Sequence, residues 1–374
     1  MARQSEFYKG RKKKRSYAIV PTAIAVGVIT LLVVLFYGMQ KYAVISKDGV
    51  QVELPILTRA QTAVDASGNE IRVFENVDAD IVYDEPDYSY VKATAGRKTP
   101  EMRAIFVPSE NINRDKLMEY AKRLKSGNAL VLEMKPPSGV LLWNSHSEVA
   151  MNYGLSTPNE LTDQLPDILA ELKEDNIYLA AQISCCLDEL FVTRSTNVAL
   201  RRADNGANYS DGYGTWLDPY NQILRNYIAE LARELFDMGF DEVVLADVAH
   251  PVVEEGTELL YTRELSTPPG AYSAVCGFAI NVAKALRDRT GLLSIYCNNS
   301  AGLVKPDTNG QDARVFMKLY DRVYINTDKF SYTYNLQDIK GSVPFGKAEN
   351  RLVPVVISNL PDNPSWVLVD APQG

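Results

Sequence analysis

Histidine is nearly absent from this chain: His146 and His250 are the only two among 374 residues. The four cysteines are Cys185, Cys186, Cys276 and Cys297, and the adjacent pair is not a metal spacing. A His/Cys zinc site is therefore not expected, and no cofactor is; a calcium site on loop oxygens stays open. Four cysteines are also too few for a small disulfide-stapled scaffold, so buried or partly buried thiols are the expectation. Glycine and proline are not enriched, and there is no internal repeat or low-complexity tract. No glycine-rich nucleotide loop follows the first strand of the main domain, which argues against a dinucleotide-binding sheet.

Basic charge is concentrated at one end. Residues 1–16 hold seven Lys/Arg and one Glu, a net +6. The whole chain carries −8, so the remainder carries −14. An acidic body argues against nucleic acid or anionic lipid as its ligand, and the favoured reading of the charge is simple solubility.

The one long apolar run is Tyr17–Met39, which contains no charge. As a helix it would extend about 34 Å at ~1.5 Å per residue, enough to span a bilayer core of ~30 Å. Basic residues before it place the N-terminus in the cytoplasm and export the rest. The reading is an uncleaved signal-anchor in the cell membrane, with a cleaved signal peptide as the alternative. Residues 1–16 are then a cytoplasmic tail, 17–39 the transmembrane helix, 40–97 a juxtamembrane arm and 98–374 the main domain. In the arm, "YAVISKDGVQVELP" predicts a hairpin about Asp48-Gly49, and "DASGNE" predicts another turn.

From about Thr99 short apolar runs alternate with amphipathic stretches. The expected strands lie in "MRAIFVP", "ALVLEM", "IYLAAQIS", "DEVVLAD", "LLSIYCN", "RVYINT", "LVPVVIS" and "WVLVD". Among the helices, "NRDKLMEYAKRLKSG" ends on Gly127 as C-cap. A second, "PNELTDQLPDILAELKEDN", is disturbed by Pro166. A third, from Asp218, has that residue as N-cap and Pro219 at its first position. Strands that are apolar on both faces belong to a parallel sheet. Eight of them in about 275 residues predict an α/β fold of the (β/α)8 TIM-barrel class, preceded by the transmembrane helix and a small β segment. A barrel places its active site at the C-terminal ends of the strands. The long loops after the second, third and fourth strands are the ones to build a cleft.

In this setting "NALVLEMKPPSG", "IYLAAQIS" and "TWLDPYNQILRNYIAELARELFDMGFDEVVLADVAHP" resemble the bacterial "putative glycosyl hydrolase domain" family, barrels related to α-amylase-like glycoside hydrolases. The likeness is most specific over residues 128–251. It implies hydrolysis of glycosidic bonds by a pair of carboxyl groups, and a polysaccharide or peptidoglycan-type glycan as partner. Glu133 and Lys135 stand where the family has Asp-x-Lys. Gln182 replaces its third-strand arginine, and its W-x-D-P-Y-N motif is present from Trp216 to Asn221. On the fourth strand the family's aspartate falls on Ala246 and its arginine on Ala249, which leaves Asp247 one residue late. Side chains alternate along a strand, so Asp247 reaches the barrel mouth only if a bulge or the strand end re-aims it. The α-amylase-like plan adds a glutamate after the fifth strand, where this chain has Cys297, Asn298 and Asn299.

Glu133 and Asp247 are the candidate catalytic pair, in an order the sequence leaves open. Each also has a structural reading: Glu133 as an ion-pair partner of Lys135, Asp247 as a loop cap or salt-bridge acid. Lys135, Trp143, Gln182, Asp188, Trp216, Tyr220 and His250 are candidate substrate contacts. Glu189, Asp328 and Asp370 are further acids near strand ends. Trp143, Tyr153, Tyr213, Trp216 and Tyr220 form either a sugar-stacking platform or packing beneath long loops. The opposing functional class is a barrel of the same shape that binds glycan or an envelope partner without cleaving it.

Overall fold

The computed structural model describes residues 27–30, 43–46, 49–52, 61–64, 70–73, 97–124, 128–262, 270–297, 309–327, 332–333, 336–337, 339, 348–360 and 362–369. The chain divides into two compact units, Met1–Glu85 and Pro86–Gly374. In the first, residues 27–30 are helical and exposed. The basic tail and the rest of the expected span lie outside the described residues. Among the described residues no helix is long and apolar enough to cross a membrane. Ala43–Ser46 pairs antiparallel with Gly49–Val52, which is the hairpin expected about Asp48-Gly49. Gln61–Val64 pairs likewise with Glu70–Val73, across the second expected turn.

The second unit is a closed barrel of eight parallel strands. They are β1 (Arg103–Val107), β2 (Ala129–Lys135), β3 (Tyr178–Ser184), β4 (Glu242–Ala246), β5 (Leu292–Cys297), β6 (Arg322–Asn326), β7 (Leu352–Val356) and β8 (Trp366–Val369). Seven lie inside the expected apolar runs, and β2 extends one residue past its own, to Lys135. They neighbour one another in chain order, and β8 pairs with β1 to close the ring. Around them run α1 (Arg114–Arg123), α2 (Glu148–Tyr153), α3 (Glu160–Glu174), α4 (Glu189–Arg194), α5 (Gln222–Asp237), α6 (Ala271–Ala285), α7 (Ala313–Leu319) and α8 (Ala348–Arg351).

The helices form because each buries one apolar face. On α5 the buried set includes Leu224, Tyr227, Ile228, Leu231 and Leu235, at three- and four-residue spacing. Each such side chain contributes about 1.5–3 kcal/mol on full burial. The α3 helix runs unbroken through Pro166. Asn159 and Thr162 form a capping box at its start, and Leu165, Ile168, Leu169 and Leu172 hold it on the barrel. An interior proline costs a helix about 3 kcal/mol, and that buried face offsets it. The α1 helix ends at Arg123, while the expected C-cap Gly127 lies outside the described residues.

Two cores result. One fills the layer between strands and helices. The other fills the barrel axis with Met102, Ala104, Val131, Ala180, Val244, Tyr324 and their neighbours. The N-terminal end of the axis is polar. Glu242 and Arg322 form an ion pair there with both side chains fully buried. Glu242 also accepts from Tyr178 Oη at 2.8 Å, Tyr324 Oη at 2.8 Å and Ser294 Oγ at 2.5 Å. These contacts close the floor of the barrel.

Candidate active site

The inward face of β2 carries Ala129, Val131 and, at the strand's end, Glu133, opposite Gln182 of β3. Between Glu133 and Lys135 the register slips: Lys135 pairs with Ile183, so Met134 is the extra residue of a β-bulge. Ile183 belongs to the outer core, and the bulge sends Lys135 the same way. Its ammonium is buried, 2.9 Å from Asp188 Oδ2, and it donates to Ser184 O at 2.8 Å. Asp188 in turn caps α4 by accepting from Phe191 N at 2.7 Å. Lys135 and Asp188, expected among the substrate contacts, instead form a buried pair beneath the second and third loops. The alternative expectation, a Glu133–Lys135 ion pair, is not formed either.

Gly139 makes that buried pair sterically possible. It has φ +85, and a Cβ there would lie 1.9 Å from Asp188 Oδ1. Gly139→Ala should destabilise the fold by roughly 2–4 kcal/mol, from left-handed strain plus a clash with a buried carboxylate. A urea unfolding midpoint unchanged from wild type would remove this account.

Glu133 is partly buried, and its Oε2 accepts from Ser109 N at 3.0 Å. Burial pushes its carboxyl above the usual glutamate range. The Ser109 hydrogen bond opposes this, and the charges of Glu110 and Asp247 add to it. A carboxyl held this way is poised to keep and donate a proton.

Asp247 answers the register problem. Glu242, Val244 and Ala246 take the inward positions of β4, so a regular continuation would turn Asp247 outward. Instead its φ is +54, one of only three positive values among described non-glycine residues. Aspartate tolerates this left-handed region better than most residues. The turn directs its carboxylate back to the mouth, where Oδ2 accepts from Ser184 Oγ at 2.6 Å. Ser184 shares the inward face of β3 with Gln182. Asp247 also exerts a charge effect on Glu133 and on Tyr296, both inward residues. The two candidate acids thus flank the end of β3, Glu133 opposite Gln182 and Asp247 on Ser184.

Below them a cavity of about 130 Å³ enters the axis. Gln182 and Tyr296 line it, and burial followed by the Asp247 charge pushes the Tyr296 phenol up. Cys297, next in β5, is fully buried on the opposite face. Neither residue at the described end of β5 is a carboxylate. Asn298, Asn299, Asp328 and Asp370 lie outside the described residues.

The remaining candidates belong to other contacts. Trp143 is buried and donates to Glu234 Oε2 on α5 at 2.9 Å, which places it in the helix layer. Trp216 is buried and donates to Asp211 Oδ2 at 2.8 Å. Tyr153 packs on Phe191 with ring centroids 5.1 Å apart, whereas Tyr213 is 75% exposed. The two tryptophans therefore pack beneath the loops and form no stacking platform. His250 is buried, with Nε2 3.1 Å from Tyr261 Oη and Nδ1 2.8 Å from Pro251 O. Burial lowers its pKa, partly offset by the Pro251 carbonyl and by Asp218. Tyr220 meets Tyr261 edge-on at 5.8 Å. Asp218 is not the N-cap of α5. Asn221 is, accepting from Ile223 N and Leu224 N. Asp218 accepts instead from Thr262 N and Thr262 Oγ1, both at 2.7 Å, and so ties the third loop to the fourth.

Ser184 and Tyr296 were not singled out from the sequence. Both stand at strand ends in phase with inward residues, and that phase is the signal that could have found them. Among the described residues no group of three or more His, Cys, Asp or Glu is placed to hold a metal ion.

A family model described as "Putative glycosyl hydrolase domain" matches residues 104–324. Among solved structures, the chain is similar to a hypothetical protein from Ruminiclostridium thermocellum, with 19% identity, 51% of this chain and 96% of that one covered, and a TM-score of 0.42. It is similar to the PgaB (BpsB) glycoside hydrolase domain from Bordetella bronchiseptica, with 13% identity, 69% and 84% covered, and a TM-score of 0.46. It is also similar to a chitinase from Chromobacterium violaceum, with 12% identity, 68% of each chain covered, and a TM-score of 0.39. No curated protein matches the chain.

Proposed function

The chain belongs to the "putative glycosyl hydrolase domain" family, and from that premise we propose that it hydrolyses glycosidic bonds with Glu133 and Asp247 as its paired carboxyls. The observation that carries this reading is the left-handed Asp247, whose carboxylate turns back to Ser184 and bears electrostatically on Glu133. Glu133, with its raised pKa, is the general acid/base. Asp247, held as a hydrogen-bond acceptor, is the nucleophile or stabiliser of the cationic transition state. Two carboxyls in different environments divide the roles in this way.

The substrate class proposed is cell-envelope or extracellular polysaccharide, peptidoglycan-type glycan included. It follows from the basic tail and charge-free run at the N-terminus, which argue for a membrane-anchored, exported barrel. A second reading has its own support. The end of β5 offers Tyr296 and Cys297 in place of an acid, and Ala246 takes the inward position on β4. A barrel of that kind would bind glycan and leave it intact.

The test is hydrolysis by the full-length chain across envelope glycans and α- and β-linked oligosaccharides, with reducing ends and binding read in the same samples. Turnover that disappears in both Glu133→Gln and Asp247→Asn is the expected result. Binding without turnover in wild type would establish the second reading.

A further inference from the structure

The proposed glycosidase reading leaves the cavity beneath the carboxyls without a role. That cavity holds about 130 Å³. A cavity of about 150 Å³ takes a molecule the size of benzene, so this one has room for a substituent projecting from a sugar ring.

Its walls are mostly apolar. Phe106, Val131, Val355 and Val367 face it from four strands, β1, β2, β7 and β8. Three polar side chains also reach it. Tyr324 is committed elsewhere, since its hydroxyl donates to Glu242 in the floor. Gln182 and Tyr296 remain, and among the described residues neither the Gln182 amide nor the Tyr296 hydroxyl has a hydrogen-bond partner. A wholly polar occupant would leave most of these walls unmatched, and a wholly apolar one would leave Gln182 and Tyr296 unmatched. The occupant that fits is apolar at one end and bears a donor and an acceptor at the other.

Resting on the glycosidase reading, we infer that this cavity is a subsite for the N-acetyl group of an acetamido sugar. The methyl fills the space between the valines and Phe106. Gln182 Oε1 accepts the amide N–H, and the Gln182 amide N–H or the Tyr296 hydroxyl donates to the carbonyl. An O-acetyl ester offers acceptors only and leaves Gln182 Oε1 unpaired. A plain hydroxyl leaves the apolar walls unfilled. Glu133 stands directly above, two residues beyond Val131 on the inward face of β2 and opposite Gln182. The acetamido sugar is therefore the one whose glycosidic bond meets the carboxyls.

The test is saturation-transfer NMR with the full-length chain and two probes, methyl N-acetyl-β-glucosaminide and methyl β-glucoside. The acetyl methyl should receive the strongest saturation, and the glucoside should receive little. Val367→Phe, which fills the cavity, should abolish the acetyl signal. Gln182→Leu keeps the side chain's approximate size and should weaken affinity about tenfold, the worth of one to two hydrogen bonds. Unfolding midpoints of both variants identify any loss that comes from misfolding, and Gln182→Leu decides if Val367→Phe does not fold. Equal binding of both probes, or acetamido binding indifferent to Gln182→Leu, overturns the subsite and leaves the glycosidase reading untouched. Hydrolysis of glycans lacking acetamido groups at rates matching acetylated ones does the same. If neither probe binds and no glycan is cleaved, both readings fall together.

Discussion

Glu133→Gln should lower turnover by roughly 10²–10⁴-fold, the usual contribution of a positioned general acid. The variant is nearly isosteric and can still accept from Ser109 N, so binding should change far less than kcat. The pH profile gives a sharper check. The acid must be protonated to act, so activity falls as pH rises through the Glu133 pKa. Burial holds that pKa above the ordinary glutamate range, and the Asp247 charge adds to the shift. Asp247→Asn removes that charge, so the basic limb of any residual activity should move to lower pH. A limb that stays in place would disconnect the two acids.

The same raised pKa predicts a change in stability of opposite benefit. Between the unfolded and folded pKa values the folded state binds more proton than the unfolded state, so stability falls as pH rises through that window. Above it, wild type carries the cost of a charged, partly buried carboxylate. Glu133→Gln should therefore be more stable than wild type at neutral pH, with the advantage fading below the ordinary glutamate pKa. Urea midpoints at two pH values measure this.

The second large effect concerns the floor. Glu242→Leu should destabilise the barrel by about 3–5 kcal/mol, because it leaves the Arg322 guanidinium buried and uncompensated. Tyr178, Tyr324 and Ser294 would lose their shared acceptor as well. Arg322→Met should cost a similar amount. The double variant Glu242→Leu, Arg322→Met should recover much of the loss, since exchanging a buried pair for apolar side chains is often near neutral. A double variant as unstable as the sum of the singles would mean that the hydroxyl network, and not the pair, holds the floor.

The barrel was legible from the sequence because strands buried on both faces read as apolar runs, and all eight did so. The site was only half legible. Alternation correctly identifies Ala246 as the inward residue of β4, but the left-handed turn at Asp247 is a single-residue conformation that no periodicity encodes. Its hydrogen-bond partner, Ser184, lies 63 positions away. The bulge after Glu133 is equally silent in sequence, and it separates two residues that E-x-K spacing had placed together. Asp218 shows a third kind of limit. Asp-Pro-Tyr-Asn contains two residues able to cap a helix, and the choice between them is set by Thr262, 44 positions later. Glu242 and Arg322 look like ordinary strand-flanking charges until the barrel closes and brings them together.

The sealed floor has a consequence for traffic. With Glu242, Arg322, Tyr324 and Met102 all fully buried across the axis, the described end of the barrel opposite the carboxyls is closed. If the barrel cleaves glycan as proposed, product would leave by the route through which the next substrate enters, and released sugar should inhibit as a direct competitor. On the proposed reading protons obey the same geography: Glu133 would give its proton to the departing alcohol and regain one from the incoming water, both on the side on which the glycan sits.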